Sequence, residues 1–302
     1  MLLLFFLLLF ILLLFPAQAA EGGKNGLLLW ATVLVPSLLP FSVLTSLIRT
    51  YMREKPFKYL LIAAGVLSGY PIGAKIAAEL YRDGSLSYKK ALFFAGATNN
   101  PSPMFVIFFV AGEQLHLAAG SYAFYLLVLL SSFLGSLAFI LIFSRHIRLW
   151  HDKKKKGKNP VPNPLPASHP APAPFPKLSF SETIDAEIAA SVLLLLKIGG
   201  YIMLFSVFAT LIKDFPLLPA PLRLPLCGLL EITTGNAVIC QSALPHSIKK
   251  ILSLAFTTFG GFSAAAQTNS VLQNTGLSIF HYIMIKLTSG IFAALLAVLF
   301  LT

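Results

Sequence analysis

Apolar stretches of twenty or more residues recur along this chain of 302 residues. At a rise of about 1.5 Å per residue, each stretch can cross a hydrocarbon core of about 30 Å as a single helix. Only 11% of the residues are charged, against about 25% in soluble domains. The sequence therefore excludes a soluble globular protein and predicts an all-α polytopic membrane protein.

The position of the basic residues along the chain indicates which partner the positive charge binds. The formal net charge is +12, yet seven of the 23 basic residues lie between Arg145 and Lys158, directly after an apolar stretch. A basic cluster beside a membrane span faces anionic lipid and fixes orientation, so we expect lipid and no nucleic acid as its partner. The sequence leaves open whether the chain forms a homo-oligomer.

The first twenty residues admit two interpretations. Residues 1–20 are almost entirely Leu and Phe and end in Ala-Gln-Ala, which has the small-x-small form of a signal-peptidase site. No basic residue precedes the apolar run, and its length is close to that of a full span. We expect a retained first transmembrane helix with Glu21 to Asn25 outside the membrane, and a cleaved signal peptide is the alternative.

Residues 151–180 form the clearest break in hydrophobicity. The segment begins with Lys153 to Lys156 and then carries proline at alternate positions over most of 160–176. Alternating proline prevents helix formation and favours extended polyproline II. We expect a cytoplasmic linker between two membrane repeats, 21–150 and 181–302, and a docking motif for a proline-binding partner is the alternative.

The two repeats resemble each other. Three short matches keep their order at offsets that drift by only three residues: 41–48 with 205–212, 65–67 with 228–230, and 99–102 with 260–263. Matches in register between the two halves of a membrane chain indicate an internal duplication.

Loop charge predicts the topology of the first repeat. Basic loops belong on the cytoplasmic side, and both flanks of 59–81 are basic, so this segment must enter and leave on one face. Two short helical arms around a Gly- and Pro-rich tip fit such a re-entrant hairpin. The other apolar stretches predict three crossings, at 27–48, 90–111 and 121–144.

An odd number of crossings turns the second repeat upside down. Its hairpin is predicted at 217–245, and its spans are predicted at 184–212, 249–270 and 277–301. Inverted repeats with discontinuous helices that meet near the bilayer midplane are the recurrent design of secondary transporters.

Four segments cannot stay helical at membrane depth, two of them hairpin tips and two of them interruptions within spans. Unpaired backbone groups in lipid cost several kcal/mol each unless protein or a water-filled cavity satisfies them. We therefore expect the four segments to surround one central site. They are residues 69–73, 99–103, 231–235 and 260–263.

The candidate solute contacts come from these segments and their neighbours. Lys75 and the helix N-termini at the tips suit an anionic group, and Glu231 is too costly in a membrane unless it is paired or faces a cavity. The predicted site residues are Gly69, Tyr70, Pro71, Gly73, Lys75, Asn99, Asn100, Ser102, Glu231, Thr233, Thr234, Gly235, Ser263 and Gln267.

Simpler roles exist for several of these residues. Asn99 and Asn100 can act as interhelical hydrogen-bonding groups, and Lys75 can extend its amine to the interface. Lys197 and Lys286 receive no assigned role. Other polar residues are interpreted as interfacial histidines or as cysteines that act as small hydrophobes: His116, His246, His281, Cys227 and Cys240.

The chain lacks the motifs of metalloproteases, serine hydrolases and nucleotide-binding loops, and it has no Cys/His metal spacing. We therefore expect no enzymatic activity, no metal and no cofactor.

Five motifs in order resemble a known family. They are 34–41, 67–75, 99–103, 230–235 and 259–263 followed by Gln267. They look like those of the YlbJ/SpoVV sporulation integral membrane proteins, within the nucleoside-recognition Gate group, which is related in design to concentrative nucleoside transporters. The resemblance runs from about residue 25 to the C-terminus, apart from the linker.

The resemblance implies a carrier of dipicolinic acid, a small aromatic dicarboxylate, across the outer forespore membrane of a sporulating bacterium. Two alternatives stay open. One is a carrier of nucleosides or other small organic solutes, and the other is a non-transporting membrane scaffold or sensor that recruits a partner through the proline tract.

Overall fold

In a computed structural model the protein is built almost entirely of helices. The structure describes residues 2–52, 58–117, 120–157, 179–215, 218–273 and 275–302, and none of these residues lies in a strand. The first part of the chain contains α1 (Leu2–Leu14), α2 (Pro16–Leu29), α3 (Val35–Met52), α4 (Lys58–Ser68), α5 (Ile72–Arg82), α6 (Tyr88–Thr98), α7 (Ser121–Ile142) and α8 (Ser144–Gly157). The second part contains α9 (Phe180–Asp214), α10 (Ala220–Leu230), α11 (Ile232–Gln241), α12 (His246–Phe259), α13 (Gly261–Leu272) and α14 (Ile279–Phe300). Two π-helical segments lie at Trp30–Leu34 and Phe105–Gln114.

The protein is an all-α polytopic membrane protein, as the sequence predicts. Among the described residues, three helices are long and apolar enough to cross a bilayer, namely α7, α9 and α14. They coincide with the predicted spans at 121–144, 184–212 and 277–301. The segments Pro16–Leu34 and Leu38–Ile48 together pass the same test and are bent by 57°, where Pro36, Pro40 and the first π-helical segment interrupt regular α-helical bonding.

The N-terminal region is helical where the sequence predicts a segment outside the membrane. Glu21 to Asn25 lie inside α2, and their position relative to the bilayer stays a prediction. Gly22 and Gly26 explain why the helix continues here: a Cβ on either residue would lie within 3 Å of the backbone of α9. Small residues four apart let two helices approach closely in a membrane. Retention of residues 1–20 as a first transmembrane helix stays a prediction.

Both predicted hairpins fold back on themselves. Residues eight apart in a straight helix are separated by about 12 Å, yet a Cβ on Gly65 would lie 3.1 Å from Cα of Gly73. In the second repeat, a Cβ on Gly235 would lie 2.5 Å from Cα of Gly228. The arms of each hairpin thus cross at a pair of glycines, at equivalent places in the two repeats. The depth of the tips in the bilayer and the inverted orientation of the repeats stay predictions.

The predicted linker begins within a helix, because α8 continues to Gly157. Residues 158–178, with the proline tract, lie outside the described residues. Trp150 and His151 of α8 pack their rings against Tyr88, with centroids 6.0 and 4.7 Å apart. Tyr88 also bonds the ring of His281, at 3.3 Å. His281 is the third residue of α14 and is 1% exposed among these rings, and its predicted position at the membrane interface stays a prediction.

The two repeats pack on each other through their apolar spans. Helix α14 packs against α7 and α12, and α13 packs against α5 and α9. This packing brings the breaks of one repeat against those of the other.

Candidate functional site

The four predicted breaks meet in the structure. We call residues 68–71 the first tip and Glu231 the second tip. The first interrupted span is α6 followed by the π-helical segment Phe105–Gln114, with a non-helical stretch at 99–102. The second interrupted span is α12 followed by α13, with Gly260 between them.

Close contacts at three glycines connect each break to the next. A Cβ on Gly69 would lie 3.2 Å from Ser102, so the first tip touches the first interrupted span. A Cβ on Gly260 would meet the hydroxyl of Tyr70, and one on Gly261 would lie 3.1 Å from the carbonyl oxygen of Leu230. All three glycines have positive φ angles, of 76°, 92° and 74°, which side chains with a Cβ rarely adopt.

A central cavity of about 50 Å³ lies where the breaks meet. Polar groups reach it from all four breaks, and apolar residues of α3 and α9 complete its wall. Predicted site residues that line it are Gly69, Tyr70, Ser102, Glu231, Thr233, Ser263 and Gln267. The hydroxyl of Tyr70 is buried without a hydrogen-bond partner among the described residues, so it is available to a polar guest.

Glu231 supplies a carboxylate to this cavity while it caps a helix. It is 2% exposed, and its side chain accepts hydrogen bonds from the hydroxyl of Thr233 at 2.5 Å and from the backbone N–H of Thr234 at 2.7 Å. An acidic N-cap is stabilised by the positive end of the helix dipole. No ion pair to Glu231 occurs within the described ranges.

The second tip is narrower than predicted. Only Glu231 leaves the helical conformation, because Thr233, Thr234 and Gly235 form the first turn of α11. The hydroxyl of Thr234 bonds that of Ser206 on α9, at 2.8 Å, so Thr234 holds the hairpin in place and does not line the central cavity. The close contact of Gly235 within its hairpin gives this glycine a packing role.

Asn99 and Asn100 are fully buried and have protein partners. The amide nitrogen of Asn99 donates to Thr268 Oγ1 at 2.9 Å and to Tyr282 Oη at 2.8 Å. Asn100 Oδ1 accepts from Ser132 Oγ at 2.6 Å and from Lys286 Nζ at 2.8 Å. Neither asparagine lines the central cavity, and their contact with solute stays a prediction.

Lys286 is the residue that the sequence interpretation missed. It is 1% exposed, on α14, and its ammonium reaches the first interrupted span from the other repeat. A signal was present, because Tyr282, Lys286 and Ser289 recur at four and three residues on one face of an otherwise apolar span.

A second cavity, of about 280 Å³, contains two lysines, and we call it the lysine cavity. Lys75, Lys197 and Pro71 line it together with four serines: Ser42, Ser46, Ser191 and Ser270. Lys197 is the midpoint of α9, 17 residues from either end. The sequence named Lys75 and Pro71 as site residues and gave Lys197 no role.

Gly73 has a steric role beside these cavities. A Cβ on it would lie 2.6 Å from the carbonyl oxygen of Thr98, so the glycine lets α5 approach the end of α6. Ser263 and Gln267 are one turn apart on α13 and bond each other at 3.3 Å.

The chain is similar to one characterised protein over almost its whole length. It is 29% identical to the sporulation integral membrane protein YlbJ of Bacillus subtilis (strain 168), over 94% of this chain and 78% of that protein. No protein-family model matches the chain, and no solved structure matches it. The motifs at the helix breaks thus identified their relative correctly, and the chain is an integral membrane protein related to the YlbJ sporulation protein.

Proposed function

We propose that the protein is a secondary carrier of a small organic anion, which the resemblance suggests is dipicolinate entering the forespore during sporulation. One observation carries the proposal: two cavities, each with polar side chains among apolar ones, are lined by the same four elements of the two repeats, namely α3, the first tip with α5, α9 and α13. Polar groups that face a cavity inside an apolar helical bundle mark solute pathways. The relative is itself a sporulation protein, which supports this biological setting.

The alignment of the cavities follows from the periodicity of the elements that line them. On the first π-helical segment and α3, Leu34 and Leu38 line the central cavity, while Ser42 and Ser46 line the lysine cavity. These four positions are spaced by four residues, and Leu38, Ser42 and Ser46 share one face of α3 beyond the bend. The face changes from apolar to polar as it passes from one cavity to the other.

The other three elements repeat this arrangement. On α9, Ile198 and Ile202 line the central cavity, and Ser191 and Lys197 line the lysine cavity. From the first tip, Tyr70 lines the central cavity and Pro71 lines the lysine cavity. From α13, Gln267 lines the central cavity and Ser270 lines the lysine cavity. The first tip therefore separates two parts of one path.

Size and charge assign different tasks to the cavities. The lysine cavity is the larger, and Lys75 and Lys197 give it positive charge that suits two carboxylates. The central cavity is smaller, and no basic residue is among the described residues that line it, so it offers an anion no charged partner. We assign the resting position of the anion to the lysine cavity and the narrow part of its path to the central cavity.

The test is uptake of labelled dipicolinate by liposomes that contain the purified protein, with empty liposomes as the reference. We expect saturable accumulation. Lys197→Gln should raise the dipicolinate concentration for half-maximal uptake about tenfold, as a loss of about 1.4 kcal/mol would. Lys24→Gln, an exposed lysine on α2 outside both cavities, should behave like the wild type. Equal uptake with and without protein would refute the carrier.

Glu231→Ala provides a second test. The substitution removes the cap of α11 and both hydrogen bonds, so it should abolish uptake in protein that still inserts into the membrane. Ser179→Ala removes the cap of α9, where Ser179 is exposed and remote from both cavities, and should leave uptake intact. Full uptake by Glu231→Ala would remove the central cavity from the path.

A nucleoside or another neutral polar solute is the second candidate. The hydroxyl and amide groups of Tyr70, Ser102, Thr233 and Gln267 around the central cavity favour it, because they bind polar groups without requiring charge. Competition in the same uptake assay separates the candidates. Unlabelled dipicolinate should block uptake and uridine should not, whereas the reverse order would favour the nucleoside carrier.

A further inference from the structure

Lys286 places a positive charge deep inside the protein. It is the eighth residue of the 22-residue helix α14 and is 1% exposed. An ammonium at this depth is costly unless the surrounding protein replaces its hydration. Its position in the bundle therefore requires compensating groups.

The compensation comes from neutral oxygen atoms and an aromatic ring. Lys286 Nζ donates to the backbone carbonyl of Asn99 at 3.2 Å and to Asn100 Oδ1 at 2.8 Å. It also lies 5.7 Å from the centroid of the Tyr70 ring, within range of a cation–π interaction. No carboxylate forms an ion pair with it in the part of the chain that the structure describes.

The backbone carbonyl, the amide oxygen and the aromatic ring around Lys286 are groups that bind a small cation. None of them is the carboxylate partner of an ion-paired lysine. The Asn99 carbonyl follows the last residue of α6, where the helix dipole is negative. In carriers built from inverted repeats, unwound carbonyls and the C-terminal ends of half-helices coordinate sodium ions. Here an ammonium from the other repeat occupies that chemical environment.

We propose that Lys286 is the resident cation of the first interrupted span, so that this break binds no dissociable alkali ion. The ammonium holds the 99–102 stretch open, and its contact with the Tyr70 ring orients the first tip beside the central cavity. Because Lys286 belongs to the second repeat, the same contacts connect both repeats at the break. The role bears on ion coupling of the proposed carrier but does not depend on the identity of the solute.

Chemical rescue of a truncated lysine tests this role without a transport assay. Lys286→Ala removes the ammonium and leaves a space of the length of n-propylammonium beside the oxygens of Asn99 and Asn100. The purified variant should unfold several degrees below the wild type in detergent. n-Propylammonium chloride should raise its midpoint in a saturable manner, whereas choline chloride at equal ionic strength should not.

Two controls separate a cation site from a packing role. Lys286→Met fills the space with an uncharged chain of similar length, so n-propylammonium should not stabilise it, and the wild type should not respond either. An equal response of all three proteins, or no response of Lys286→Ala, would overturn the proposal.

Measurements on the wild-type protein test the proposal even if the variants misfold. Its unfolding midpoint, and its dipicolinate uptake if the carrier proposal holds, should be the same in sodium, potassium and choline buffers. Specific stabilisation by sodium would refute the resident cation. Absence of uptake under every condition would refute the carrier and leave the thermal result to decide the role of Lys286.

Discussion

The two interrupted spans occupy equivalent places in the two repeats but keep their breaks open by different means. The first break is four residues wide, at 99–102, and side chains from α7 and α14 bond the Asn100 amide oxygen and the Asn99 carbonyl. The second break is one residue wide, at Gly260, and depends on the positive φ angles of Gly260 and Gly261. A wide break exposes several backbone groups and needs added partners, whereas a narrow break needs only conformational freedom.

The largest expected effect comes from the narrow break. Gly260→Ala combines an unfavourable φ of 92° with overlap between its Cβ and the hydroxyl of Tyr70. The φ strain alone costs about 1–2 kcal/mol, and the overlap must also displace the first tip. We expect loss of uptake and a lower unfolding midpoint of the purified protein.

Two other glycines separate the causes of that loss. Gly84 also has a positive φ, of 74°, but a Cβ there would meet no atom within 4 Å, so Gly84→Ala reports strain alone. Gly200→Ala, in open space within α9, should be neutral. If Gly260→Ala behaves like Gly84→Ala, φ strain alone explains the loss and contact with the first tip is unimportant. If Gly260→Ala behaves like Gly200→Ala, the positive φ is unimportant and the comparison between the breaks fails.

The wide break should be most sensitive to loss of its acceptor. Asn100→Ala leaves the Lys286 ammonium and the Ser132 hydroxyl without their shared oxygen, and hydrogen bonds to charged groups contribute about 1.5–3 kcal/mol. We expect a destabilisation in this range, measured by unfolding in detergent, and little residual uptake.

Asn236 is a matched control for Asn100. It is equally buried, on α11, but its amide donates to Ile232 O and Thr257 Oγ1, both uncharged. Asn236→Ala should destabilise less. Equal losses would mean that the charge of Lys286 adds nothing at the wide break.

The smallest expected effect concerns Ser132. Its hydroxyl donates to Asn100 Oδ1, which keeps the stronger bond from Lys286 when the serine is removed. Ser132→Ala should cost about 1 kcal/mol. Ser131→Ala is its control, because Ser131 is as buried but bonds only the Leu127 carbonyl of its own helix. A greater loss for Ser131→Ala would contradict the network around Asn100.

The sequence predicted the breaks well because glycine and proline act locally. Gly69, Pro71, Pro101 and Gly260 all lie at breaks where the prediction put them, because glycine adopts positive φ angles and proline lacks a backbone N–H. The same residue types overpredicted the second tip, where Gly235 is helical. The spans α7, α9 and α14 were equally clear, because length and hydrophobicity alone define them.

Partners could not be predicted in the same way, because they depend on packing between distant residues. Lys286 contacts Asn100 across 186 positions of the chain, and no local pattern specifies that distance. The Gly22–Gly26 contact with α9 was missed for the same reason, since the polar residues Glu21, Lys24 and Asn25 suggested a segment outside the membrane. The presence of two cavities was also beyond the sequence, which predicted a single site.

The glycine crossings within the two hairpins limit how this protein can move. At Gly65 with Gly73, and at Gly228 with Gly235, backbone touches backbone, so no side-chain rotation can widen or narrow the gap between the arms. We therefore expect the two arms of each hairpin to move together as one rigid body. In the proposed carrier, a wider passage for solute then requires movement at the contacts around the hairpins, such as that between Gly69 and Ser102.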